Sequence, residues 1–172
     1  MIEPFLSLFT LESFGSLFSH WKEELGVLIQ AVVALALGGL LGWERESSGK
    51  IAGLRTHMLV CLAAMLFVKL GQFLITDSAH YYKPDAVRAD PIHIIGAIAT
   101  GISFLGAGTI FRDRDQNQPQ GLTTAASLLC TGSLGVAVAI DRYVLAVGVT
   151  LLTLFTLRSL QKFAEKSEKS PK

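Results

Sequence analysis

A chain of 172 residues, 51% of them apolar and 17% charged, with a mean hydropathy of +0.48, does not suit an ordinary soluble core and does suit a bilayer. A formal net charge of +1 supplies no basic field of the kind that draws proteins to nucleic acid, so no nucleic-acid partner is expected. Cys61 and Cys130 each lie in an apolar run without a CxxC neighbour. They read as small apolar residues rather than as metal or redox thiols.

The chain opens with a segment, 1–23, that has no Lys or Arg before Lys22 and no small-residue cleavage site after an early apolar core. It does not read as a signal peptide, and the N-terminus is expected to be retained. At ~100° per residue, Leu11, Phe14, Leu17, Phe18 and Trp21 share one arc, while Glu12, Ser13, Ser16, Ser19 and His20 fall outside it. This predicts a helix over 11–22, lying either on the external membrane surface or across the outer ends of the spans.

Four apolar runs of roughly 20 residues follow, 25–43, 54–75, 92–111 and 122–140, each long enough to cross the hydrocarbon core as a helix. A shorter fifth, 143–157, is expected to continue as helix past Arg158, whose charged head snorkels to the interface. The fold class is therefore all-α, a polytopic membrane helix bundle of about five spans. Its transmembrane domain covers 24–157, followed by a short charged cytoplasmic tail, 158–172.

Five spans place the termini on opposite sides. Arg45, Lys50, Arg55, Arg112, Arg114, Arg158, Lys162, Lys166, Lys169 and Lys172 fall on one side, and Lys22, Lys83, Arg88 and Arg142 on the other. Ten against four puts the C-terminus in the cytoplasm and the N-terminus outside.

The loop "GWERESSGKIAGLRTH", 42–57, interrupts two apolar runs with five charges, and its end, Gly53-Leu54-Arg55-Thr56, is echoed by Gly121-Leu122-Thr123-Thr124. Both units read Leu-Gly, charged loop, Gly-Leu-x-Thr, apolar helix, and both run from outside to inside and back. If the likeness is structural, the first four spans are two parallel hairpin repeats and the fifth stands outside the symmetry. Ala34, Gly38 and Gly42, and likewise Ala97 and Gly101, are spaced by four for close helix packing. Gly106 and Gly108 crowd the inner end of the third span, either for backbone contact or to loosen the helix beside a cavity.

Gly53, Arg55, Thr56 and His57 begin one cytoplasmic helix, and Gly121, Thr123 and Thr124 begin another, where free N–H groups and the dipole favour an anion. The favoured occupant is internal, Glu44 or Glu46 paired with Arg55; the alternative is a phosphate or a partner's carboxylate. Asp90-Pro91 reads as an N-cap followed by Pro at the first helical position. Lys69, a charge inside an apolar run, either snorkels outward or has a buried role. All fourteen Asp and Glu lie outside the apolar runs, which leaves a hard cation without the carboxylates it prefers. No HExxH, GxxxxGK[ST] or GxSxG pattern is present, so no enzyme activity, metal site or cofactor is expected.

"GWERESSGKIAGLRTH", "RADP", "GISFLGAG" and "GLTTAASL" together resemble the MgtC/SapB family of bacterial inner-membrane proteins, in the family's order along most of 35–140. The resemblance implies a multi-pass cytoplasmic-membrane protein linked to growth or virulence under Mg²⁺ limitation. It directs attention to Glu44, Arg45, Glu46, Gly53, Arg55, Thr56, His57, Asp90, Gly106, Gly108, Gly121, Thr123 and Thr124. Trp43 stands where an aliphatic residue is usual, His93 where Arg is usual, and the soluble C-terminal domain of longer members is not expected here. The resemblance is compatible with regulation of other membrane proteins, including the F-type ATP synthase, and with Mg²⁺ or other ion transport by an oligomer. The expected partners are the bilayer and another membrane protein or a second copy of the chain.

Overall fold

The computed structural model describes residues 11–81, 90–112 and 119–168, with side chains placed over 21–76, 90–112 and 119–159. Five helices carry it: α1 Leu11–Ser47, α2 Leu54–Tyr81, α3 Pro91–Gly108, α4 Leu122–Ala139 and α5 Tyr143–Glu168. Four are long and apolar enough to cross a membrane, over Trp21–Ser47, Leu54–Thr76, Pro91–Gly108 and Leu122–Ala139; the apolar part of α5, Tyr143–Ser159, is shorter. Its helix does continue beyond Arg158, to Glu168.

The amphipathic segment and the first span are one helix. Nothing between Trp21 and Leu25 breaks it, so α1 runs 37 residues, about 55 Å at ~1.5 Å per residue. The side chains of 11–20, residues 1–10, Lys83, Arg88, Arg114 and the side chains of the tail from 160 on lie outside the described residues.

The ends of the helices follow from local chemistry. Gly49, at φ +65, sits just past α1 while Gly49 N–H donates to Glu46 O and Lys50 N–H to Arg45 O. This is a Schellman stop, and the left-handed residue favours glycine. Asp90 Oδ1 accepts from Ile92 N–H at 2.9 Å, with Pro91 at the first turn of α3, as the sequence predicts. The loop from α3 to α4 departs from an all-helical expectation by a small antiparallel ladder, β1 Phe111–Arg112 with β2 Pro119–Gln120. It closes on Gly121, at φ +87, where a Cβ would stand 2.0 Å from Thr109 O.

α2 and α4 pack together at the centre, α1 lies against both, α3 lies against both from the other side, and α5 covers α4 and α1. In lipid this packing rests on close approach rather than on water exclusion. A Cβ on Gly38 would meet His57 O at 2.7 Å, one on Gly42 would meet Leu54 Cα at 2.7 Å, and one on Gly135 would meet Cys61 O at 2.2 Å. The small residues thus bring α1 and α4 onto the α2 backbone. Leu41, Cys61, Met65, Leu134 and Val138, none more than 1% exposed, fill the space between. The outer faces are apolar, with Phe104 80% and Val144 90% exposed, as lipid contact requires.

Candidate functional site

The buried stripe of α1 advances at helical spacing through Gln30, Ala34, Leu37 and Leu41 to Glu44 and Arg45. It is apolar in the middle and polar at both ends. Those ends are separated by about 21 Å at ~1.5 Å per residue.

At the C-terminal end of α1, the sequence places Glu44 and Arg45 in a charged loop, but the helix extends through them and buries both, at 2% and 1% exposure. The Arg45 guanidinium grips the Glu44 carboxylate with two nitrogens: Nη2 donates to Oε1 at 2.6 Å and Nε to Oε2. Ser48 Oγ donates to the same carboxylate at 3.1 Å. The expected pairing of Glu44 or Glu46 with Arg55 is therefore not formed. Glu44 is taken by its own neighbour, and Arg55 points out, exposed, as do Thr56 and Thr123.

Glu46 has a different task. Its Oε2 accepts Leu54 N–H at 2.8 Å, so a carboxylate from the last turn of α1 occupies the positive end of α2. The anion expected at this helix start is thus internal. Gly53 makes room for it, since a Cβ there would stand 2.7 Å from Glu46 Oε2.

His57, fully buried, ties this end to α4. Its Nδ1 lies 2.9 Å from Gly53 O; a carbonyl only accepts, so Nδ1 carries a hydrogen. Nε2 lies 3.0 Å from Ser127 Oγ, whose hydroxyl also reaches Thr124 O at 2.8 Å. In a neutral His57 the single Ser127 hydrogen serves either Nε2 or Thr124 O, whereas a second ring proton makes all three contacts hydrogen bonds at once. A serine beside an imidazole is the pair used in acyl transfer, but Ser127 is 2% exposed and spends its hydroxyl on backbone. The pair fastens helices.

Thr131, buried, and Asp141 and Tyr143 at the opposite end were not singled out from sequence, which gives Gln30 and Ser127 only as polar groups within apolar runs, weak ligands for Mg²⁺. The signal available was Thr124, Ser127 and Thr131 at i, i+3 and i+7 in an apolar run. Thr131 Oγ1 donates to Ser127 O at 2.8 Å, the local bond that lets a hydroxyl sit in lipid-facing helices.

Among the glycines expected to pack, Gly106 meets Ala125 at 3.3 Å for a notional Cβ, whereas Gly101 and Gly108 face open space. The helix remains intact to Gly108. Lys69 is half-buried and close enough to Asp141 to act on its charge. Among the described residues no group of three or more His, Cys, Asp or Glu is placed to hold a metal ion.

The MgtC family model matches residues 31–166, which takes in the first hairpin from within α1, the whole of the second, the buried Glu44–Arg45 pair and the His57–Ser127 link. The chain belongs to the MgtC family. Relatives include the "Putative magnesium transporter YhiD" of Escherichia coli (strain K12), 35% identical over 130 residues, covering 76% of this chain and 58% of that protein. "Protein MgtC" of Brucella abortus (strain 2308) is 36% identical over 116 residues, 67% of this chain and 43% of that protein. "Protein MgtC" of Salmonella typhimurium (strain 14028s) is 32% identical over 144 residues, 84% of this chain and 56% of that protein. The chain thus spans about half the length of these relatives. No solved structure matches it. Family and apolar helices together make it a bacterial membrane protein.

Proposed function

We propose that this chain is a regulatory protein of the bacterial inner membrane, linked to Mg²⁺ limitation, that acts on another membrane protein through its lipid-facing helices. The observation that carries this reading is the closed interior. The polar groups at the inner end are consumed by one another, and Leu41, Cys61, Met65, Leu134 and Val138 seal the bundle between that end and Gln30. One copy therefore offers no hydrated path, and its accessible chemistry lies on its outer faces. The basic residues Arg45, Lys50, Arg55, Arg112 and Arg158 support a cytoplasmic C-terminus, with the N-terminus outside.

A second reading, an ion transporter assembled from several copies, is favoured by α3, whose Gly96, Gly101 and Gly108 have no neighbour within 4 Å of a notional Cβ. The name carried by the Escherichia coli relative points the same way. A photoreactive residue at Phe104, activated in native membranes, separates the two. A discrete adduct with a different membrane protein is expected; self-adducts alone favour the oligomeric transporter, and lipid adducts alone contradict both.

A further inference from the structure

His57 is an ionisable side chain that a closed interior does not require. It stands in the first turn of α2, fully buried although Arg55 and Thr56 beside it in the chain are exposed. Its two ring nitrogens hold different elements. Nδ1 donates to Gly53 O, in the loop before α2, at 2.9 Å, and Nε2 meets Ser127 Oγ of α4 at 3.0 Å. A fully apolar pair would join the two helices as well and would be indifferent to pH, so the choice of an imidazole asks what a second ring proton does here.

The proton fits the contacts but its charge does not fit the surroundings. Once Nε2 is a donor, Ser127 turns its hydrogen to Thr124 O at 2.8 Å, and all three contacts remain hydrogen bonds. The charge, however, lies away from water among groups that do not balance it. α1 brings Arg45, of like sign, and Glu44, of opposite sign. Glu44 already gives both oxygens to Arg45 and one of them also to Ser48, and Arg158 of α5 acts on it too. α4 presents the hydroxyls of Thr124 and Ser127, and its one ionisable side chain is Cys130. α3 carries only His93, in its first turn at the opposite end of the bundle. On α2 itself the nearest ionisable groups are the exposed Arg55 and the buried Cys61. Among the described residues facing the ring, no carboxylate is left for it. One added hydrogen bond is a small gain beside an unbalanced buried charge, and a turn of the Leu54 end of α2 away from α4 brings that charge to water.

We propose that His57 is a proton-operated clasp between the two hairpins: neutral, it holds the Leu54 end of α2 to α4, and a second proton on its ring releases them. The clasp is independent of whether the outer faces meet another protein or a second copy. Spin labels on unnatural residues at Arg55 and Thr123, both exposed, leave Cys61 and Cys130 in place and report the α2–α4 separation of the full chain in lipid nanodiscs. Between about pH 8 and about pH 5, the interval in which an imidazole takes up its charge, the separation should grow by about 2 Å, the scale of helix movement in such switches, and should return when the pH is restored. An unchanged separation overturns the proposal. His57→Gln keeps an amide that reaches Ser127 but cannot take up charge, so it should hold the closed separation throughout, while His93→Gln should respond as the native chain does. A response that survives His57→Gln overturns the clasp and assigns the movement to another acid. ¹⁵N imidazole shifts of the histidine-labelled native chain supply the same test without a substitution at the clasp: the buried ring must gain its second proton over the interval in which the separation grows. A ring that stays neutral while the helices part also overturns the proposal.

Discussion

His57 Nε2 and Ser127 Oγ stand 3.0 Å apart although 70 residues separate them in sequence. They join the second helices of the two hairpins at full burial, where no water competes. A double-mutant cycle with His57→Ala and Ser127→Ala, read by unfolding in detergent, should give a coupling of about 1 kcal/mol. Additive effects would mean that the two contribute separately.

Arg45 and Glu44 form a buried pair whose members need one another. Removing one leaves the other charged and unpaired in the bundle, so Arg45→Met should cost about 3–5 kcal/mol. Arg45→Met combined with Glu44→Leu should be distinctly less damaging than the sum of the two. Arg55→Glu, by contrast, should not rescue Glu44→Arg, because Arg55 touches neither Glu44 nor Glu46.

Glycines of similar appearance in the sequence differ sharply in what they face. Gly135→Ala would put a Cβ 2.2 Å from the Cys61 carbonyl, a backbone atom that cannot move alone, and should destabilise by roughly 1–3 kcal/mol or more. Gly101→Ala meets nothing and should change stability by less than about 1 kcal/mol. Thermal unfolding of the two variants in the same detergent checks the contrast.

Asp141 gives the bundle an acid-sensitive latch. The Tyr143 hydroxyl, joined by the Gln30 amide and the Lys69 charge, holds its carboxyl below the usual value of 3.8 against a smaller effect of burial. Its contribution to stability is therefore complete above that usual value and is lost as pH falls through the lowered one. Melting temperature should decline below about pH 4 more steeply in the native chain than in Asp141→Asn; parallel curves would show that the latch adds nothing.

The span pattern was legible because long apolar runs admit few alternatives to helices, and the Asp90-Pro91 start and the Gly38 and Gly42 packing follow from residue types at fixed spacing. The Glu44–Arg45 pair was not legible, since adjacent helical residues ordinarily diverge and a charged run reads as solvated loop. Gln30–Asp141 joins residues 111 positions apart, and nothing local to either announces the other. Gly132 and Gly135 resemble any small residues in an apolar helix until α4 is known to touch Ile102 of α3 and the Cys61 carbonyl of α2.

The central claim, that one copy of this chain has a sealed interior and works through its surface, predicts no Mg²⁺ conduction by the chain alone. Purified protein in sealed liposomes with an entrapped Mg²⁺ indicator and an imposed gradient measures this directly against empty liposomes. The account predicts flux equal to the control. Rapid saturable uptake, abolished by Gly108→Trp at a position where an added Cβ has no neighbour within 4 Å, would contradict it and establish a path between copies.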